Sequence, residues 1–266
     1  MRLIKCNRLV VCATLITYFL YCCFKLKPNS EVLSSMGEQT LEYFLSKGKI
    51  PRKDAADIEW CHAANSKNKL TEALQGSALM IEADVLLRGN ASEEPIMAHP
   101  PENDSDITLQ EWLQEVLKSD KGIKLDFKSL AAVSPSMSLL DEVRDQLKGP
   151  VWINADVISG PGGKAVPLDP HGYNWEVVHQ MEELCRPLKQ PVTFPVRAAL
   201  LPMSFLQLQW LLEQSDRYSL TIWTGKDDAV NVEDLLPYRQ KISKTRIYYD
   251  LIGSQMTRFK GLPGYS

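Results

Sequence analysis

The chain has 266 residues, of which 44% are hydrophobic and 24% charged, and a formal net charge of −3 at pH 7. These proportions are typical of a folded globular protein, and the length suits one large domain or two small ones. The mildly acidic balance, with no basic stripe interleaved with aromatic residues, argues against a nucleic-acid-binding protein.

The N-terminal residues have the pattern of a targeting segment. Basic residues precede the apolar run 9-LVVCATLITYFLYCCF-24, and two lysines follow it closely. This arrangement is typical of a secretory signal peptide or a signal-anchor. The run is shorter than the roughly 20 residues of a relaxed transmembrane helix, and no small-x-small cleavage site follows, so both alternatives stay open. We predict residues 1–25 as a signal peptide or signal-anchor and 26–36 as a linker, in a protein that is secreted, lumenal or single-pass membrane-anchored.

Cysteines and sequons bear on the same compartment. Cys61 and Cys185 are the cysteines outside the N-terminal segment, and in an oxidising compartment they could form one disulfide or stay two buried thiols. No C-x-x-C pair is present, so a structural zinc site is not expected. Asn90 and Asn103 begin the sequons 90-NAS-92 and 103-NDS-105, which predict N-glycosylation of a lumenal or secreted protein.

Short apolar runs alternate with helical patterns from residue 37 onward. The predicted strands are 57–62, 79–86, 122–127, 151–157, 192–196, 219–223 and 247–251, and the predicted helices lie near 37–47, 68–75, 107–118, 137–147, 174–186, 203–214 and 232–241. Strands separated by helices indicate βαβ units and a parallel sheet. We therefore predict an α/β fold, a (β/α)₈-type TIM barrel spanning 37–252. Residues 253–266 show no strand pattern, which predicts a C-terminal tail and a barrel that is distorted or incomplete at its C-terminal end.

A doubly wound open sheet is the alternative fold. It is less favoured because no G-x-G-x-x-G turn follows the first predicted strand.

Two acids, Glu82 and Asp84, interrupt the apolar strand 79-LMIEADVL-86. Residues two apart point to the same face of a strand, and two unpaired anions buried on that face would be very costly. Asp126 on the next predicted strand could supply a third carboxylate, and an oxygen site of this kind suits Mg²⁺ or Ca²⁺. The alternative is a structural ion pair in which Lys124 and Lys128 neutralise Asp126.

Other polar or aromatic side chains lie at or just after the C-terminal ends of the predicted strands, where TIM barrels carry their active sites. His62 and His99 flank the acidic pair in sequence. With a divalent metal they suit phosphodiester cleavage, one histidine activating the nucleophile and the other protonating the leaving alcohol. The remaining candidates, expected to bind substrate, are Lys124, Lys128, Asn154, Asp156, Arg197 and Trp223.

With these residues in place, the chain resembles the menorin family over residues 37–252. The resemblance rests on the motifs 60-WCHAANS-66, 81-IEADV-85, 95-PIMAHPP-101, 122-GIKLDFK-128, 151-VWINADV-157 and 220-LTIWTG-225. At a greater distance the layout is similar to the glycerophosphodiester phosphodiesterase and spider-venom phospholipase D group of TIM barrels. That likeness implies a histidine pair, an E-x-D pair and an acid-x-lysine element that hold Mg²⁺ or Ca²⁺ and cleave phosphodiesters.

Carried onto this chain, the resemblance implies a complete set of site residues. His62 and His99 would be the catalytic pair, the metal ligands would be Glu82, Asp84 and Asp126, and Lys128 would contact the phosphate. Three positions depart from the distant group: Ala63 stands for an arginine, Pro100 for an aspartate, and Asp126 for a glutamate. The first change removes an expected phosphate contact, which Lys124 or Arg197 could replace.

Two functions follow from these expectations. The first is a secreted or lumenal metal-dependent phosphodiesterase whose partner is a small glycerophosphodiester or a phospholipid headgroup. The second is a non-catalytic extracellular protein that keeps the barrel and the metal site and binds a ligand or a protein partner. The resemblance implies this second class, because menorins act as extracellular cues in neuronal patterning and in retinal maintenance. Glycoside hydrolysis is disfavoured. Its two carboxylates should lie about 5–10 Å apart across a cleft, whereas Glu82 and Asp84 lie on one predicted strand.

Overall fold

The structure is a computed structural model that describes residues 9–12, 37–89, 92–155, 172–225 and 227–266. Its strands are β1 (Leu9–Cys12), β2 (Trp60–Cys61), β3 (Met80–Leu87), β4 (Pro95–Met97), β5 (Gly122–Phe127), β6 (Val151–Ala155), β7 (Val192–Arg197), β8 (Tyr218–Trp223) and β9 (Ile247–Asp250). Its helices are α1 (Gly37–Ser46), α2 (Lys67–Gln75), α3 (Leu109–Val116), α4 (Leu130–Val143), α5 (Trp175–Cys185), α6 (Phe205–Glu213), α7 (Leu236–Lys241) and α8 (Gly253–Lys260).

The chain divides into two compact units. The first is built on Glu59–Asp156 and includes the N-terminal strand as far as Val11; the second is built on Leu33–Ile58 and Val157–Ser266. In each unit, parallel strands are flanked by helices.

The sheet of the first unit runs in the order β2, β3, β5, β6, with every neighbouring pair parallel. β4 adds an antiparallel pairing to the end of β3, and β1 pairs parallel with β6, Leu9 lying opposite Val151. β3 is buried along almost its whole length, as expected for a parallel strand covered on both faces. The polar residues within it therefore lie in the core.

Helix starts in this unit follow local sequence signals. The hydroxyl of Ser66 accepts a hydrogen bond from the backbone N–H of Lys69 and caps α2. Thr108 and Glu111 form a reciprocal capping box at the start of α3, which satisfies N–H groups that have no partner within the helix. Trp112, on the buried face of α3, donates its indole N–H to the carbonyl oxygen of Ala64 at 3.0 Å. This bond ties α3 to the turn that follows β2.

The second unit has β8 between β7 and β9, all parallel. The hydroxyls of Thr193 and Thr221 lie 2.7 Å apart across β7 and β8 in its core. Arg239 on α7 is buried, and its guanidinium donates to both carboxylate oxygens of Asp54 at 2.7 and 2.5 Å. Its Nε donates to the backbone oxygen of Tyr265, whose ring lies under the guanidinium. The C-terminal residues are therefore packed into this unit.

The structure confirms the α/β class with parallel strands, while the closed (β/α)₈ barrel stays a prediction. The helix expected near 137–147 begins earlier, at Leu130, and contains Pro135. Pro135 removes one helical hydrogen bond, but the helix continues because one side of it is buried against the sheet. Within residues 253–266, expected to be a tail, Gly253–Lys260 form α8, which buries Phe259. The helix is short and has a glycine at each end, so its sequence gives little indication of helical structure.

No helix among the described residues is long and apolar enough to cross a membrane. Of the apolar run 9–24, the structure describes only Leu9–Cys12, as strand β1. The signal peptide or anchor and the linker 26–36 otherwise lie outside the described residues, and targeting stays a prediction.

Candidate metal centre

Strand register brings three acids of the first unit together. Asp84 on β3 lies opposite Asp126 on β5, and Asp126 lies opposite Asn154 on β6. Glu82, two residues before Asp84, points to the same side of the sheet. All three acids are buried, and one carboxylate oxygen from each lies within 4.8 Å of those of the other two. The expected convergence of Glu82, Asp84 and Asp126 is therefore present in the structure.

Each carboxylate has one oxygen held by a neutral N–H group. The backbone N–H of Ala63 donates to Glu82 Oε2 at 2.7 Å. The side-chain amide of Asn65 donates to Asp84 Oδ2 at 2.7 Å, and that of Asn154 donates to Asp126 Oδ1 at 2.8 Å. Such bonds fix the orientation of ligating carboxylates from outside the metal's own coordination shell.

The remaining oxygen of each acid is available to a cation. Glu82 Oε1 is fully buried and has no hydrogen-bond partner among the described residues. Asp84 Oδ1 and Asp126 Oδ2 lie 3.0 and 2.9 Å from Nζ of Lys128. A buried carboxylate oxygen without a partner is costly, and a bound cation would satisfy it. The site thus offers three hard oxygen donors, the type preferred by Mg²⁺ and Ca²⁺.

The turn 62–66 after β2 organises both acids of β3. Ala63 has a left-handed backbone conformation, with φ of 54°, which is unusual for a residue other than glycine. The next two residues reach β3 as well: the N–H of Ala64 donates to the backbone oxygen of Glu82, and Asn65 Oδ1 accepts from the N–H of Asp84. The strained residue thus lies in a turn that makes four hydrogen bonds to Glu82 and Asp84, which is where backbone strain is often tolerated.

Burial and the neighbouring charged groups both shift the pKa values of the site. Burial raises the pKa of Glu82; Lys124 and His62 oppose this rise, whereas Asp84 and Asp126 add to it. Burial would also raise the pKa of Asp126, but Lys128 and Lys124 outweigh it and the pKa lies below its usual value. The two acids around Lys128 raise its pKa despite burial. The site therefore holds at least one ammonium ion at neutral pH.

Both predicted catalytic histidines belong to this unit. Nδ1 of His62 lies 3.5 Å from Glu82 Oε2, and about half of the imidazole is exposed. His99 follows β4 and is exposed, with Nδ1 2.6 Å from the backbone oxygen of Pro100. The residue before it, Ala98, donates its N–H to the backbone oxygen of Asp84 at 3.0 Å. Each histidine is therefore anchored, directly or through its neighbour, to a residue of the acidic triad.

Two of the expected substrate residues, Arg197 and Trp223, lie in the second unit at the ends of β7 and β8. The guanidinium of Arg197 forms two hydrogen bonds to the carboxylate of Asp228 and lies 5.3 Å from the centre of the Trp223 ring. Asp228 raises the pKa of Arg197, and Arg197 lowers that of Asp228. Arg197 is thus paired with an acid, and its phosphate contact stays a prediction.

The other predicted sites have mixed outcomes. Cys61 and Cys185 are not joined by a disulfide in the structure, and burial raises the pKa of Cys185 to about 12, as for an unreactive thiol. Asn103 is exposed, as glycosylation requires. Asp156 and Asn90 lie outside the described residues.

Asn65 is the functional candidate that sequence reasoning missed. It lies inside the motif 60-WCHAANS-66, but an amide four residues after a short strand carries no signal of its own. Only the conformation of the turn brings it to Asp84.

Comparisons with known proteins show the family of the chain. A family model described as the Menorin N-terminal domain matches residues 54–171 and 167–256. Protein FAM151B of Homo sapiens is 51% identical over an alignment of 258 residues, and the match covers 85% of this chain and 94% of that protein. No solved structure matches the chain.

Proposed function

The chain belongs to the menorin family, and we propose that it is a secretory-pathway protein with a metal-dependent phosphodiesterase site for glycerophosphodiesters or phospholipid headgroups. One observation carries this proposal. Glu82, Asp84 and Asp126 each have one oxygen held by an N–H group, and one carboxylate oxygen of each acid lies within 4.8 Å of those of the other two.

The donor set fits a hard divalent cation. All three candidate ligands are carboxylates, and the triad includes neither a thiolate nor an imidazole. Mg²⁺ or Ca²⁺ is therefore favoured over zinc. When bound, such an ion would stabilise negative charge on the phosphoryl oxygens. Glu82 Oε1 is buried without a hydrogen-bond partner among the described residues, so a bound ion would offset its cost of desolvation.

The protein's own residues would handle protons and substrate charge. Glu82 Oε2 lies close to Nδ1 of His62, and this contact would leave Nε2 of the same ring to accept a proton from the attacking oxygen. His99 would donate a proton to the leaving alcohol. Lys128 and Lys124 would bind the phosphate, a role that fits their positions beside the triad.

Product release tests the enzymatic proposal. The purified protein, with Mg²⁺ or Ca²⁺, is incubated with a panel of glycerophosphodiesters and lysophospholipids, and free alcohol is measured. We expect release by the unmutated protein and loss of at least about two orders of magnitude in His62→Ala. His179→Ala is the matched control, because His179 is an exposed histidine of α5 in the second unit. Equal rates in the unmutated protein and His62→Ala would contradict the proposal.

A non-catalytic extracellular ligand-binding function is the second candidate. It is favoured by Ala63, which stands where the distant phosphodiesterases have a phosphate-binding arginine, and by the pairing of Arg197 with Asp228. Both observations reduce the cationic groups available to a phosphate. Divalent-ion binding without turnover of any substrate in the panel would support this second function.

A further inference from the structure

Lys128 is a buried cation placed between two acids of the triad. It directly follows β5, and its backbone N–H donates to the backbone oxygen of Val85 on β3. Its side chain is 10% exposed, and Nζ lies 3.0 Å from Asp84 Oδ1 and 2.9 Å from Asp126 Oδ2. The ammonium ion thus bridges β3 and β5 in the middle of the cluster.

These two oxygens are the same ones that a divalent ion would use. Asp84 Oδ2 and Asp126 Oδ1 are already engaged by Asn65 and Asn154. A divalent ion binds carboxylate oxygens at about 2.0–2.6 Å, closer than the ammonium ion now lies. Two cations cannot both hold these oxygens in a buried site without strong repulsion.

We propose that Lys128 is the resident cation of the cluster and that a divalent ion binds only by displacing its ammonium group from Asp84 and Asp126. This inference rests on the proposed metal site and adds a coupling to it. In the metal-free protein, Lys128 offsets the repulsion among three buried carboxylates. After displacement the ammonium group lies next to the bound ion on a flexible stem, where it is available to an anionic phosphate. Metal binding therefore both fills the site and releases its phosphate-binding group.

Charge removal at position 128 tests the competition. Affinity for Mn²⁺, Mg²⁺ and Ca²⁺ is measured by calorimetry for the unmutated protein, Lys128→Met and Lys128→Arg. We expect Lys128→Met to bind the ion at least about tenfold more tightly and to melt at a lower temperature in EDTA. Lys128→Arg should stay near the unmutated affinity, since it keeps the charge. Lys118→Met is the matched control, because Lys118 is 69% exposed and forms a surface ion pair with Glu115.

The outcomes separate the inference from the site. Equal or weaker affinity in Lys128→Met would overturn the inference and leave the metal site standing. Absence of binding in every variant would overturn the metal site and the inference with it.

The unmutated protein offers a test that does not depend on the folding of a variant. Lysine side chains are reductively methylated in EDTA or in saturating Mn²⁺, and modification of each lysine is read by mass spectrometry. We expect Lys128 to be protected in EDTA and to be modified several times faster in Mn²⁺, with Lys118 unchanged. Equal modification of Lys128 in both conditions would overturn the inference.

Discussion

Asn65 makes two hydrogen bonds to Asp84, one to its carboxylate and one to its backbone N–H. The backbone carbonyl oxygen of Asn65 accepts a hydrogen bond from the hydroxyl of Ser105 at 3.1 Å. Ser105 lies in the loop that begins at His99, so a single residue joins a triad acid to the segment carrying a candidate catalytic histidine. This is the role of a positioning residue, which acts on the site through the groups it orients.

Replacing Asn65 by alanine should weaken metal binding. We expect Asn65→Ala to lower the divalent-ion affinity about 10- to 100-fold, because Asp84 loses the donor that fixes its carboxylate. Calorimetric titration with Mn²⁺ measures the change. Asn68→Ala is the matched control, since Asn68 lies on α2 and donates to the exposed Glu72. Affinity in Asn65→Ala equal to that of the control would show that this bond does not support the site.

Glycosylation of Asn103 tests the secretory assignment at residue level. When the full chain is expressed in secretory-competent cells, we expect a mobility shift that endoglycosidase removes and that Asn103→Gln reduces by one glycan. The residue is exposed and followed by Asp104 and Ser105, so the acceptor sequence is accessible. Asn68→Gln, which lies in no sequon, is the control. A glycan-free chain would argue against passage through the secretory pathway.

At the scale of elements, β1 pairs residues of the predicted targeting segment with β6. Leu9, Val10 and Val11 lie opposite Val151, Trp152 and Ile153 of β6, and β6 also carries Asn154, which holds Asp126. A segment paired in the sheet is neither a membrane span nor a removed signal peptide. Residues 9–12 therefore either stabilise the fold by pairing with β6 or serve as part of a targeting segment, and an experiment can separate these two roles.

Proline in β1 should reveal which role holds. We expect Val10→Pro with Val11→Pro to lower the melting temperature of the full chain, because proline removes ladder hydrogen bonds from a strand. Circular dichroism measures melting, and Ser30→Pro in the predicted linker is the control. An unchanged melting temperature would show that residues 9–12 do not stabilise the fold, as expected of a targeting segment.

Strand positions were far more predictable than the hydrogen bonds that complete the site. Glu82, Asp84 and Asp126 could be grouped from sequence because side chains alternate along a strand and parallel neighbours share a face. The hydrogen bonds to Glu82 and Asp84 could not be predicted, because Ala63 and Asn65 reach these acids through a turn in which Ala63 has a left-handed backbone conformation. An alanine in the sequence does not indicate such a conformation. Arg197 was placed at a strand end correctly, but its pairing with Asp228 depends on a loop whose path the sequence does not reveal.

At the scale of the whole molecule, the human relative contains positions that this chain lacks. The alignment extends over 258 residues but covers 85% of the 266 residues of this chain, which is about 226. The family match is likewise broken into 54–171 and 167–256. Among the described residues, βα units in chain order contain seven strands, one fewer than a (β/α)₈ barrel has: β2, β3, β5, β6, β7, β8 and β9. The break in the family match falls between β6 and β7.

The buried pair Asp54–Arg239 should dominate the acid sensitivity of the second unit. Burial would raise the pKa of Asp54, but Arg239 and the N–H of Ala56 outweigh it and hold the pKa below its usual value. A carboxyl with a lowered folded-state pKa contributes stability above its unfolded pKa and loses it as the pH falls through the folded value. We therefore expect this contribution to be complete at neutral pH and to fade below about pH 4.

Urea unfolding across this pH range measures the contribution. Asp54→Asn should cost about 3–5 kcal/mol at pH 7, because it leaves the buried Arg239 without its anion, and the difference from the unmutated protein should shrink below about pH 4. Asp145→Asn, at a carboxylate that is 85% exposed, is the control and should have little effect. A difference that is the same at pH 3 and pH 7 would contradict the assignment.

Anomalous scattering from crystals grown with Mn²⁺ tests the central claim most directly. We predict a single strong peak within about 2.5 Å of oxygens from Glu82, Asp84 and Asp126, with Nζ of Lys128 moved away from both aspartates. An empty site at saturating Mn²⁺, with Lys128 still bridging Asp84 and Asp126, would contradict it.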